Sequence, residues 1–216
     1  MGSRILFGFH AVTARLRTHP TSVQGIYTAS ARHDARMRDL AARAKTAGIA
    51  LHTADDVLEG LPEDALLVVL DGVTDPHNLG ACLRNADAFG AHAVIVPKDR
   101  AVGVNATVAK AASGAADTVP VVTVTNLARA IAALKERGVW VLGADTGGES
   151  IVDADLSGPI AWVLGAEGEG LRRLTRESCD RIVGIPIGGT VESLNVSVAT
   201  GICLYATRAA RSRTAR

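Results

Sequence analysis

Apolar residues fall along this chain in two alternating rhythms: short continuous runs, and stretches in which they recur every three or four positions. From residue 66 onward the runs predict strands at 66–70, 93–96, 119–124, 139–143, 160–164 and 181–187. The periodic stretches predict helices at 78–89, 105–116, 127–137, 171–177 and 194–208. Strands that alternate with helices make a mostly parallel α/β sheet covered on both faces. Upstream, residues 1–62 read as a smaller α/β unit: a helix at 10–17, a strand at 23–29, a helix at 34–47 stopped by Gly48, and a strand at 49–52. An acidic connector over 55–64 follows, and Pro62 marks the boundary, so two domains are expected, 1–62 and 63–216.

At 216 residues and 48% hydrophobic content the chain can build a real core, mostly from Ala, Val, Leu and Ile, as fully buried parallel strands require. Aromatic residues make up 3%, too few for a base-stacking platform. The formal charge of +1 hides an uneven distribution. Residues 1–50 carry eight Lys or Arg against two Asp, residues 208–216 carry four Arg and no acid, and the middle holds eleven basic and twenty acidic residues. An acidic body with basic flanks suits a protein that holds a polyanion. Cys82, Cys179 and Cys203 are too far apart for a Cys-x-x-Cys pair, and the histidines show no ligand spacing. A metal-free, soluble protein of the reducing cytoplasm is expected, without a membrane span or signal peptide.

Three segments carry candidate chemistry. Between 185 and 201 a strand breaks at Gly188-Gly189 and re-enters as an apolar helix, interrupted by Ser193 and Asn195, whose side chains can cap that helix or face a ligand. Within 70–90, Asp75 can cap a helix and Pro76 can open it. Leu79, Cys82, Leu83, Ala86 and Phe89 then form one apolar stripe, which leaves Arg84 projecting away from it. Within 162–173 a buried strand ends in a glycine-rich turn, Gly165-Ala-Glu167-Gly-Glu169-Gly170. Its spacing is not that of a dinucleotide loop, and its carboxylates would repel a pyrophosphate. They suit a ligand with cationic or donor groups, such as the amine and sulfonium of S-adenosylmethionine.

Taken in order, these segments resemble the SpoU-type, or TrmH-like, ribose 2′-O-methyltransferases of the SPOUT superfamily. The resemblance runs from about residue 66 to 205. Segments 71–84, 165–176 and 193–204 look most like the bacterial 23S rRNA guanosine 2′-O-methyltransferase subgroup. It implies a C-terminal trefoil knot, which no periodicity reveals, and a pocket for S-adenosyl-L-methionine in which Gly165, Ile185 and Leu194 match the family's cofactor positions and Leu164 and Ile187 wall the adenine. It also implies a homodimer whose active site draws on both subunits, with the apolar face of the final helix as the contact. Arg84 matches the arginine that activates the hydroxyl, while Asn78, Glu167, Ser193 and Asn195 match residues that fix geometry. The small N-terminal unit resembles an L30e-like RNA-binding domain, shortened here. Two alternatives are a tRNA ribose methyltransferase and a non-catalytic RNA-binding assembly factor.

Overall fold

A strand buried on both faces finds partners for its backbone groups only in neighbouring strands, and that requirement organises the chain. The computed structural model describes residues 6, 9–28, 35–52, 54–166, 168 and 170–214. It falls into two units, Met1–Gly60 and Leu61–Arg216. The first contains α1 (Phe9–Thr18), β1 (Ile26–Tyr27), α2 (Ala35–Thr46), β2 (Leu51–His52) and α3 (Ala54–Glu59), with β1 and β2 parallel. Leu16, Ile26, Leu40 and Ala44 form its core. Part of the expected acidic connector is therefore wound into α3, where Leu58 is buried.

The second unit contains β3 (Leu66–Asp71), α4 (Pro76–Ala88), β4 (Ala93–Pro97), α5 (Ala106–Ala112), β5 (Val121–Val124), α6 (Leu127–Glu136), β6 (Trp140–Ser150), β7 (Ile160–Gly165), α7 (Arg173–Ser178), β8 (Arg181–Gly184) and α8 (Val196–Thr214). All adjacent strands pair in parallel, in the order β5-β4-β3-β7-β6-β8. Strand order therefore runs outward in opposite directions from β3 and β7. The crevice between their carboxyl ends is the topological switch point at which open α/β sheets hold ligands. Asp71 and Gly165 stand side by side there, the last residues of their strands.

Leu79, Cys82, Leu83 and Ala86 of α4 are buried, as the stripe predicts, and pack with Leu66, Val68 and Leu70 of β3 and with Leu204 of α8. Gly80 is buried as well: a Cβ there would lie 2.4 Å from the Ala111 Cβ, so the glycine lets α4 and α5 pack closely. Trp162 of β7 is fully buried, and its Nε1 donates to the Thr207 hydroxyl of α8 at 2.9 Å, which satisfies both groups.

In the second unit four boundaries lie three or more residues from those expected. α5 stops at Ala112 because Ser113 and Gly114 adopt left-handed conformations, at φ of +51° and +94°. β6 continues to Ser150 through a register shift at residues 144–149, where the Gly148 backbone lies so close to the Ile182 carbonyl that a Cβ would fall 2.1 Å from its oxygen. β8 ends at Gly184, so Ile185 and Ile187 lie in irregular chain. α8 runs on through the basic tail to Thr214. That last difference changes the reading of the tail's charge. Arg208 donates to the Phe89 carbonyl at 2.8 Å, and Arg211 donates to the Asp64, Ala65 and Gly158 carbonyls at 2.8, 3.1 and 2.7 Å. These two arginines fasten the helix to the rest of the unit.

Candidate active site

The site at the switch point is built from three stretches of chain. The first is the start of α4. Asp75 caps it, accepting from the His77 amide at 2.9 Å, and Pro76 supplies the first turn with a residue that needs no amide partner. Asn78 thus stands in the first turn, with Arg84 six residues on. Arg84 is exposed and forms no ion pair or hydrogen bond with any described residue. At 1.5 Å per residue it lies about 9 Å along the helix from Asn78 and about 120° around it.

The second stretch is the chain between β8 and α8. Asn195 is the N-cap of α8: its Oδ1 accepts from the Ser197 amide at 2.9 Å and from the Ser197 hydroxyl at 2.6 Å. Its Nδ2 donates to the Asn78 Oδ1 at 3.0 Å, joining the starts of α4 and α8. Two turns further along α4, the Asn85 Nδ2 donates to the Ser197 carbonyl at 2.7 Å. Ser193 is exposed. The structure therefore brings Asn78 and Asn195 together, while Arg84 stands outside their hydrogen-bond network.

The third stretch is the turn after β7. Ala166 and Gly170 form an antiparallel bridge, and the Gly170 amide donates to the Ala166 carbonyl at 3.1 Å. The turn folds back so tightly that a Cβ on Gly165 would lie 1.9 Å from the Gly170 carbonyl oxygen. Only glycine fits at that strand end. Gly168 and Gly170 take φ of +79° and +64°, which also favours glycine. Glu167 lies outside the described residues, so the structure gives it no position.

Sequence reasoning missed what holds this turn. Asp71, with its side chain fully buried, accepts from the Arg172 Nε at 2.6 Å, from its Nη2, and from its backbone amide at 3.3 Å. These bonds raise the Arg172 guanidinium further above its ordinary range. Arg176 pairs with Asp145 of β6. The signal was present as a carboxylate ending the apolar run Leu66–Asp71, a position that costs several kcal/mol unless the charge is paired.

Leu164 is buried near the end of β7, and Ile185, Ile187 and Leu194 are half-buried in the chain between β8 and α8. Among the described residues, 185–194 make no backbone–backbone hydrogen bond. That stretch therefore offers a row of unspent amides and carbonyls beside apolar side chains. Such a donor set fits the adenosine of S-adenosylmethionine, whose purine needs flat apolar walls and whose ring nitrogens and amino group need backbone partners. No group of three His, Cys, Asp or Glu residues able to hold a metal occurs among the described residues.

Residues 65–205 match the SpoU rRNA Methylase family, and residues 5–57 match the family described as RNA 2′-O ribose methyltransferase substrate binding. The chain is 54% identical over 236 aligned positions to the 23S rRNA (guanosine-2′-O-)-methyltransferase RlmB of Nitrosomonas europaea, covering 95% of this chain and 91% of that protein. The alignment has more positions than this chain has residues, so part of that relative has no counterpart here. Among solved structures, an AdoMet-bound rRNA methyltransferase from Sinorhizobium meliloti is 25% identical with a TM-score of 0.66, covering 81% of this chain and 77% of that one. The SpoU methyltransferase AviRb from Streptomyces viridochromogenes, 24% identical, shares the fold at a TM-score of 0.68 over 97% of this chain and 90% of that one.

Proposed function

The chain belongs to the SpoU rRNA methylase family, and we propose that it transfers a methyl group from S-adenosyl-L-methionine to the ribose 2′-hydroxyl of a guanosine in 23S rRNA. The observation that carries this proposal is the 54% identity, over nearly the whole of both chains, to a relative named for that reaction. The switch-point geometry is consistent with it: residues 185–194 make no backbone–backbone hydrogen bond among the described residues, and α4 carries an exposed guanidinium, Arg84.

When bound, S-adenosyl-L-methionine supplies a methyl carbon activated by its sulfonium. The protein's task is alignment and charge. Gly165, Ile185 and Leu194 would hold the cofactor through backbone groups, with Leu164 and Ile187 packed on the purine. A guanidinium is a poor base. Arg84 acts instead by gripping a phosphate beside the target ribose and stabilising negative charge as it develops on the 2′-oxygen. The proton leaves to phosphate or water. Asn78 and Asn195 keep the starts of α4 and α8 at a fixed separation, and Ser193 would help to fix the ribose, the role that the family resemblance also gives to Glu167.

A second copy of the chain completes the site in this proposal. On α8 the exposed Val198 and Tyr205 flank the half-buried Ile202 at positions i, i+4 and i+7, an apolar stripe suited to an isologous contact. Arg84, unengaged by the described residues of its own chain, would serve a pocket formed across that contact. The N-terminal unit, a shortened L30e-like module, would select the RNA, and the C-terminal chain would thread the family's trefoil knot. No described helix is long and apolar enough to cross a membrane, and with rRNA as substrate the enzyme would work in the cytoplasm.

The test is to incubate the protein with methyl-labelled S-adenosylmethionine and separated 23S rRNA and tRNA, then map the labelled ribose. Label on a guanosine 2′-oxygen of 23S rRNA is expected. Label confined to tRNA, or to a base, would refute the assignment.

A further inference from the structure

The turn that leaves β7 is held from both sides. Strand order places β3 and β6 on either flank of β7, and each presents a carboxylate level with the carboxyl end of β7: Asp71, which pairs with Gly165, on β3, and Asp145, which follows the Ala144–Leu164 pair, on β6. Past the turn, Arg172 and Arg176 stand four residues apart, at the N-cap and within α7. Arg172 takes Asp71 and Arg176 takes Asp145. The contacts are specific. Asp71 receives two guanidinium nitrogens and a backbone amide. Asp145 also accepts from the Thr146 amide at 2.8 Å, and a Cβ on Gly170 would lie 3.4 Å from the Asp145 Oδ1, so the carboxylate rests against the turn itself.

A buried ion pair adds little net stability over apolar side chains of the same volume, because desolvation offsets the attraction. What it fixes is position. We propose that Asp71–Arg172 and Asp145–Arg176 form a two-legged clamp of positioning residues, which straddles β7 and holds the 166–170 turn closed against Gly165, thereby setting the affinity for S-adenosylmethionine. This inference rests on the methyl-transfer reading and deepens it. The clamp touches neither substrate nor RNA. It acts through the backbone of Gly165 and the turn.

The experiment measures S-adenosylmethionine binding by calorimetry, together with methyl transfer to 23S rRNA, for wild type, Arg176→Ala, Asp145→Ala, the double variant and Arg176→Lys. This leg is the less buried one, with side chains 39% and 19% exposed, so these variants should fold, which melting curves verify. Each single change is expected to weaken cofactor binding about tenfold, the loss of one charge-assisted hydrogen bond. The double variant should be no weaker than either single one, because the pair acts as a unit. KM for the cofactor should rise with kcat at saturation nearly retained, RNA affinity should not move, and Arg176→Lys should recover part of the loss. Arg172→Lys, which keeps the charge beside Asp71 but not the planar fork, should weaken cofactor binding without unfolding the protein. Folded variants that bind the cofactor like wild type, or a double variant showing the product of the two single effects, would overturn the clamp. A wild-type protein that neither binds the cofactor nor transfers methyl would overturn the methyl-transfer reading and the clamp with it. Wild-type transfer with unaffected variants overturns the clamp alone.

Discussion

Replacing Gly165 by alanine perturbs the site through backbone alone. The added Cβ would lie 1.9 Å from the Gly170 oxygen, 2.1 Å from its carbonyl carbon and 2.5 Å from the Leu171 nitrogen. To reach ordinary contact at 3.4 Å, the turn must recede by about 1.5 Å. No flexible side chain can absorb that movement, because every atom met belongs to the main chain. Recession stretches the Gly170–Ala166 hydrogen bond and pulls the Arg172 amide from Asp71. Overpacking together with these two weakened hydrogen bonds amounts to roughly 2–4 kcal/mol. For a chain of this size that lowers the melting temperature by about 4–16 °C. Gly168→Ala and Gly189→Ala serve as controls. A Cβ at either meets nothing within 4 Å, but Gly168 has φ of +79°. Gly168→Ala should therefore cost about 1 kcal/mol of backbone strain, and Gly189→Ala about nothing. Urea denaturation and cofactor calorimetry on the three variants should rank Gly165→Ala well below Gly168→Ala, and Gly168→Ala below Gly189→Ala. If Gly165→Ala bound cofactor and unfolded like wild type, the close approach of the turn to the strand end would be wrong.

Arg84→Ala should lower methyl transfer by about 10²–10³ with unchanged melting and cofactor affinity, since the side chain is exposed and pairs with none of the described residues; Arg84→Lys should fall between, lacking the planar fork. Arg211→Met removes three hydrogen bonds to carbonyls at the amino ends of β3 and β7 and should destabilise by about 2–4 kcal/mol in urea titrations. Its turnover at low temperature should stay at the wild-type level, because the site lies at the other end of the sheet. Burial pushes the Cys82 and Cys179 thiols up to about 11 from an ordinary value of 9.0. The unfolded chain therefore loses protons that the folded chain keeps, and this stability is complete below pH 9 and lost as pH rises toward 11. Denaturation midpoints measured from about pH 8 to about pH 10.5 should fall less steeply in Cys82→Ala/Cys179→Ala than in wild type.

The sheet was legible because Leu66, Leu67, Val68, Val69 and Leu70 can lie only in a strand covered on both faces, and the α4 stripe because one helical period sorts Leu79, Cys82, Leu83 and Ala86 from Arg84. Strand order was not legible, since parallel strands look alike from within and only the pairing of β3 with β7 creates the switch point. Ends of elements were misjudged where backbone geometry outweighs hydrophobic pattern: Ser113 in a left-handed conformation ends α5, and Gly147-Gly148 carries β6 through a register shift. The basic tail showed the limit of counting charge. Arg208 and Arg211 look like a polyanion-binding flank in sequence, yet the Arg208 Nε and both terminal nitrogens of Arg211 donate to main-chain carbonyls. Within the site, Asn195 was expected to cap a helix or face a ligand, and it caps α8 while holding Asn78. The Asp71–Arg172 pair spans 101 positions, a separation that no local pattern encodes.

Hydrogen exchange with and without S-adenosylmethionine tests most directly whether the cofactor is held at the switch point. Slowed exchange is predicted at the amides of the turn after Gly165 and across 185–194, which make no backbone–backbone hydrogen bond among the described residues, with α5 and β5 unchanged. No protection at those amides, or protection confined to another part of the sheet, would contradict it.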